Sequence, residues 1–130
     1  MTSSRVLALD YGSARCGCAV SDPTGTLATP IESVSDPGSD SGLSEIARLV
    51  GEREVEEVVV GLPVSLSGAE HGQAAEARAF ASRLAERLEV PVTTFDERFT
   101  TALARRTPGS APEDSRAAAH LLESYLSARP

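Results

Sequence analysis

Three carboxylates stand where a folded chain could gather them. Asp10 closes a short apolar run that begins at Val6. Asp96 and Glu97 directly follow a second run, Pro91 to Phe95, and Asp114 opens a segment whose apolar residues recur at helical spacing. Asp114 precedes Ala117, Ala118 and Leu121 by three, four and seven residues, so it shares their stripe. A carboxylate leading a buried stripe is costly unless a cation compensates it. Mg²⁺ suits such a place, because it is held by a few carboxylates, waters and substrate phosphates. Acids of this kind serve phosphodiester hydrolysis assisted by two divalent ions, one generating the attacking hydroxide and one stabilising the leaving oxygen. Asp10, on a rigid strand end, is expected to bridge the ions. Each acid also has a plainer structural reading. Asp10 could hold the turn at Tyr11-Gly12, Asp114 could complement a helix dipole, and Glu97 could form a solvated pair with Arg98.

The elements that must position these acids are legible from hydrophobic periodicity. Val6 to Leu9 reads as a buried strand, and Cys16 to Val20 as its hairpin partner across Tyr11-Gly12-Ser13. A third strand is expected from Leu27 to Val34, with Pro30 placing it near an edge or a bulge. Ser35 to Gly42 reads as an exposed loop. Leu43, Ile46, Ala47 and Val50 then predict a helix ending near Glu54. The valine-rich stretch Val55 to Val60 predicts a central strand covered on both faces. Ser67 and Glu70 form a capping box before a long helix with Ala77, Phe80, Ala81, Leu84 and Leu88 on one face. The opposite face carries Glu76, Arg83, Glu86 and Arg87. Pro91 to Phe95 is the fifth strand. A short helix from Thr100 to Arg106 and a loop from Thr107 to Ala111 should follow. Ser110 and Glu113 suit a second capping box, with Pro112 in the first turn. The final helix should bury Ala117, Ala118, Leu121, Leu122 and Tyr125. The expected fold is α/β: a five-stranded mixed sheet, three antiparallel strands first, with helices on both faces. The first and fifth strands then share one sheet, which lets the acids converge.

Composition narrows the classes. A chain of 130 residues fits one domain, 1–130, with a core that needs no disulfide. No apolar run approaches the roughly 20 residues that cross a bilayer, so no membrane partner and a cytoplasmic location are expected. Cys16 and Cys18 alternate onto one strand face as small core hydrophobes rather than metal ligands. The net charge of −7 argues against coating nucleic acid by bulk electrostatics. It leaves room for a nuclease, because bound metal inverts the local field of an acidic site. All twelve basic residues are arginine, which grips phosphate in a bidentate fork.

Four blocks carry a resemblance to a known family: Leu7 to Asp22 (LALDYGSARCGCAVSD), Val58 to Gly68 (VVVGLPVSLSG), Phe95 to Ala104 (FDERFTTALA) and Glu113 to Leu126 (EDSRAAAHLLESYL). In this order they resemble the YqgF family, also called RuvX. Its members are described as Holliday junction resolvases and as pre-16S ribosomal RNA nucleases. The resemblance implies a ribonuclease H-like fold and a nuclease dependent on Mg²⁺ or Mn²⁺. It implies Asp10, Glu97 and Asp114 as catalytic and metal-binding acids. It implies Arg15, Arg98, Thr100, Thr101 and Gly12 as substrate-binding residues. Its implied partners are structured RNA, including a ribosomal precursor, or branched DNA, with the protein a monomer or a homodimer. This chain departs from the family in a shorter stretch between Arg98 and Asp114, holding only Arg105 and Arg106, and in His120 at a usually aliphatic position.

Two other functions compete. A sugar kinase or actin-like ATPase shares the fold and an opening Asp-x-Gly loop but normally needs two such domains. A binding module that has lost catalysis would explain the acidity, although all three matched acids are present. Within the enzyme reading, maturation of the 5′ end of pre-16S RNA is favoured over resolution of a four-way junction, which calls for two symmetric cuts and a dimer.

Overall fold

The computed structural model describes residues 5–63, 72–96 and 113–128, with the side chains of Glu113 and Asp114 outside that description. Five strands form one sheet: β1 (Val6–Asp10), β2 (Arg15–Ser21), β3 (Ala28–Ser35), β4 (Glu57–Leu62) and β5 (Val92–Asp96). Their order is β3-β2-β1-β4-β5. The first three strands pair antiparallel, while β4 runs parallel to both β1 and β5. Three helices accompany them: α1 (Asp40–Glu52), α2 (Gly72–Arg87) and α3 (Glu113–Ala128). The mixed sheet expected from the sequence is therefore present. The capping box at Ser67–Glu70, the short helix 100–106, the loop 107–111 and Ser110 lie outside the described residues. Among the described residues, no helix is long and apolar enough to cross a membrane.

Strand alternation divides the core in two. Leu7 and Leu9 of β1, Cys16, Cys18 and Val20 of β2, and Val58, Val60 and Leu62 of β4 face α1 and α2. There they meet Leu43, Ile46 and Leu49 of α1, and Ala77, Phe80 and Leu84 of α2. Val6, Ala8, Ala19 and Val59 face the other way, against Ala118, Ala119, Leu121 and Leu122 of α3. The two thiols share a face, as alternation requires, and both are free and buried. The paired arginines of α2 do more than solvate it. Arg83 donates to the Gly38 carbonyl at 2.6 Å, and Arg87 reaches Asp40 at 3.0 Å, tying α2 to the start of α1.

Both ends of α1, the start of β4 and the buried face of α3 differ from the sequence expectation, each for a local reason. The stretch 35–42 is not wholly an exposed loop: Pro37 is buried, and α1 already begins at Asp40. Ser39 caps it by accepting the Gly42 N–H at 3.0 Å. A side chain at position 42 would stand 2.2 Å from the Asp36 carbonyl oxygen, so only glycine fits this close approach. The helix ends at Glu52 rather than Glu54, and β4 starts two residues later than the apolar run. Val55 N–H returns to the Val50 carbonyl at 2.9 Å and Glu54 N–H to the Gly51 carbonyl at 3.3 Å. This is a Schellman ending, with the left-handed position filled by Glu54 at φ 54°. Finally, the buried stripe of α3 is rotated from the expected one. Ser115 and Ala119 are buried, whereas Ala117 is only half-buried.

Two stability predictions follow from these local structures. Glu54→Gly removes the left-handed strain of a residue with a Cβ and should stabilise the fold by about 0.5–1 kcal/mol. Calorimetry should show a Tm higher by roughly 3–5 °C. Asp22 organises the β2–β3 turn, accepting the Thr26 and Leu27 N–H groups at 2.8 and 2.9 Å and the Thr24 hydroxyl at 2.5 Å. Its carboxyl is lowered to about 2, first by the Thr24 hydroxyl and then by the backbone N–H groups. A depressed carboxyl stabilises above its unfolded value. The stability gap between wild type and Asp22→Ala should therefore be full at neutral pH and shrink as pH falls from 3.8 toward about 2, read by denaturant titration.

Candidate active site

Asp10 ends the central strand and is half-buried. Alternation from Val6 and Ala8 assigns it to the α3 face of the sheet. Across the antiparallel pair it stands opposite Gly17 of β2. On the parallel side the register Leu9↔Val60 continues to Gly61 of β4, which in turn pairs with Phe95 of β5. Asp10 is thus flanked on the α3 face by two positions without side chains. The following turn is tight: a Cβ at Gly12 would lie 2.7 Å from the Arg15 carbonyl oxygen. Arg15 itself opens β2, is exposed, and falls by alternation on the same face as Gly17 and Ala19.

The C-terminal edges of β1, β4 and β5 coincide, since the three strands are parallel. Phe95 packs on the α3 side, edge-on to Tyr125 at 5.6 Å between ring centroids. Asp96 pairs with Leu62, a residue of the α1/α2 core, and so faces away from Asp10. Glu97, Arg98, Thr100 and Thr101 lie outside the described residues.

α3 begins at the same edge. Ser115, fully buried, accepts the N–H of Cys18 at 3.4 Å, and Cys18 stands opposite Leu9. At its other end Tyr125 donates to Glu57, at the beginning of β4. The helix therefore runs antiparallel to β1, with Asp114 in its first turn at the Asp10 edge. Ser115 was not singled out from the sequence. The signal for it was present, since it precedes Ala118, Ala119 and Leu122 by three, four and seven residues and so heads the buried stripe. His120, largely buried, pairs with Glu123 at 3.2 Å one turn along its own helix, which fits a tolerated substitution and no catalytic part.

Tyr11 supports the edge from the opposite face. Its ring lies 4.7 Å from that of Phe80 in α2. Burial pushes its phenol above the ordinary value, and the Glu76 carboxylate adds to that shift. Among the described residues no three of His, Cys, Asp and Glu cluster as a metal site. Cys16 and Cys18 sit on the face opposite Asp10. Asp10 is the described carboxylate on this face of the edge, and carboxylate oxygens suit a hard divalent cation.

The close approach at Gly12 yields a prediction. Gly12→Ala must open the β1–β2 turn beside Asp10 and should cost about 1–3 kcal/mol by denaturant titration. A variant as stable as wild type would show that the turn tolerates a Cβ.

Residues 4–128 match the family described as RuvX: Holliday junction resolvase. A relative in Thermobifida fusca, named "Putative pre-16S rRNA nuclease", is 54% identical over 99 residues, spanning 75% of this chain and 61% of that protein. A relative of the same name in Chloroflexus aggregans is 40% identical across 99% of this chain and 97% of its own length. The chain thus spans less than two thirds of the first relative and nearly all of the second. Among solved structures, Thermus thermophilus RuvC in complex with a Holliday junction superposes with a TM-score of 0.58 at 17% identity, covering 95% of each chain. Its likeness shows that the fold is ribonuclease H-like. By the extent of the family match, the chain belongs to the RuvX family.

Proposed function

We propose that this chain, as one ribonuclease H-like domain, is a divalent-metal-dependent nuclease acting in 5′-end maturation of pre-16S ribosomal RNA. The observation that carries the reading is the meeting of β1 and α3: Asp10 ends the central strand where the first turn of α3 is anchored by Ser115. The antiparallel run of α3 along β1 supports it, because it brings the start of that helix to the Asp10 edge.

In this reading Asp10, Glu97 and Asp114 hold Mg²⁺ or Mn²⁺. Bound there, the metal supplies water activation and charge stabilisation at the leaving oxygen. The chain supplies the rest. Asp10 contributes a carboxylate held on buried backbone, and Gly17 and Gly61 leave the edge open for a phosphodiester. Arg15 and Arg98 bind flanking phosphates, with Thr100 and Thr101 as further donors. Gly12 keeps the turn below the level of the substrate.

A second reading, cleavage of four-way DNA junctions, is favoured by the family's description and by the fold shared with RuvC. It calls for a homodimer presenting two sites. One experiment separates the readings. Purified protein is incubated with a pre-16S RNA 5′ leader and with a DNA four-way junction, with Mn²⁺, with Mg²⁺ and with chelator. The leader should be cut in metal and spared in chelator. Asp10→Asn should lower the rate at least about a hundredfold, the loss of one preorganised charge at the reacting centre, with its melting curve intact. Junction cleavage without RNA cleavage would establish the second reading. No cleavage by folded, metal-supplied protein would mark a binding module.

A further inference from the structure

We infer that Ser115 is a positioning residue, which fixes the first turn of α3 against β2 and thereby sets the place of Asp114 relative to Asp10. The inference rests on the metal-dependent reading above and adds a residue that reading does not use. Ser115 is completely buried, and Ser21 is the other polar residue buried this deeply among the described residues. Ser21 has a plain structural task, accepting the Val6 N–H at 2.8 Å at the far end of β1. Ser115 performs the matching task at the chemical end, accepting the Cys18 N–H from 97 residues away in sequence.

Its location explains why a hydroxyl is used there. Cys18 lies where β2 shifts register against β3: Cys16 pairs with Val34, yet Cys18 pairs with Ile31. It also stands opposite Leu9, one residue before Asp10. Apolar contacts of Ala118, Leu121 and Leu122 and the Tyr125–Glu57 bond hold α3 along its later turns. Its first turn is the part furthest from that bond. A directional bond at Ser115 fixes this turn one residue from Asp114. Groups that orient ligating carboxylates typically change metal affinity 10–100-fold when removed.

The test measures metal binding and does not depend on turnover. Calorimetric Mn²⁺ titrations compare wild type, Ser115→Ala and Asp10→Asn, alongside melting curves. Ser115→Ala should melt within a few degrees of wild type and bind Mn²⁺ about tenfold more weakly. In wild type, the backbone amide signal of Cys18 should move with Mg²⁺ at the concentration that half-saturates the protein. Ser115→Ala binding as tightly as wild type while Asp10→Asn loses the metal would overturn the role of Ser115 and leave the site reading standing. If Asp10→Asn also binds normally, the site reading itself falls, and this inference with it. Should Ser115→Ala fail to fold, the wild-type Cys18 amide decides: a shift tracking saturation supports the coupling, and a signal unmoved at saturating Mg²⁺ overturns it.

Discussion

The double burial of β1 governs this structure. Its four apolar residues, Val6 to Leu9, are completely enclosed, and the pleat sends them alternately to two different helical layers. Each buried valine or leucine contributes roughly 1.5–3 kcal/mol, so a one-residue slip would forfeit both layers at once. That stringency fixes the side to which Asp10 belongs. It also fixes where α3 must lie, because Ala8 and Ala19 offer the shallow surface on which Ala118 can approach closely. The carboxylate takes the next outward position on a strand whose register the core has already set.

The acid at the edge has the same sign as the protein's net charge. A net charge of −7 repels a polyanion at long range. Screening confines that repulsion to about 10 Å at moderate salt, so local placement decides. Three arginines of α1 and α2 are committed elsewhere: Arg48 to Glu45 and Glu52, Arg83 to Gly38, and Arg87 to Asp40. Arg15 stands on the Asp10 face by strand alternation. The two thiols, soft donors, are kept in the opposite layer. Soft and hard donors thereby lie on opposite faces of the sheet.

Much of this was legible in the sequence, and the parts that were not share a cause. Periodicity found all five strands and the three described helices, most directly where an apolar face is fully buried, as in β1, β2 and β4. The valine run Val58–Val60 announced a strand covered on both sides, and β4 is one. Boundaries moved where backbone hydrogen bonding overrode hydropathy. Val55 is buried as the closing residue of a helix rather than the opening residue of a strand. Asp40 joins α1 because Ser39 caps it, although both lie in a polar stretch. The stripe of α3 turned because a serine can be buried once its hydroxyl has a partner, and composition does not reveal partners. Asp10 could be placed as a strand-end acid from spacing alone, whereas the side of the sheet taken by Asp96 emerged only from the register of β5 against β4.

The row Gly17–Asp10–Gly61 sets an acid between two glycines at the end of a buried strand. Glycine inside a strand weakens it by about 0.5–1 kcal/mol relative to alanine, and two such positions flank one acid. Side chains there would have covered Asp10 on its own face, since directly opposed residues approach within roughly 5 Å. The carboxylate stands half-buried on rigid backbone between the two glycines. The enclosed layers to left, right and below supply the rigidity, so the local loss is tolerable. A strand end surrounded by larger residues would be more stable and chemically mute. The glycine pair is thus read most economically as room kept for a ligand, at the one place where three parallel strand ends and the start of α3 meet.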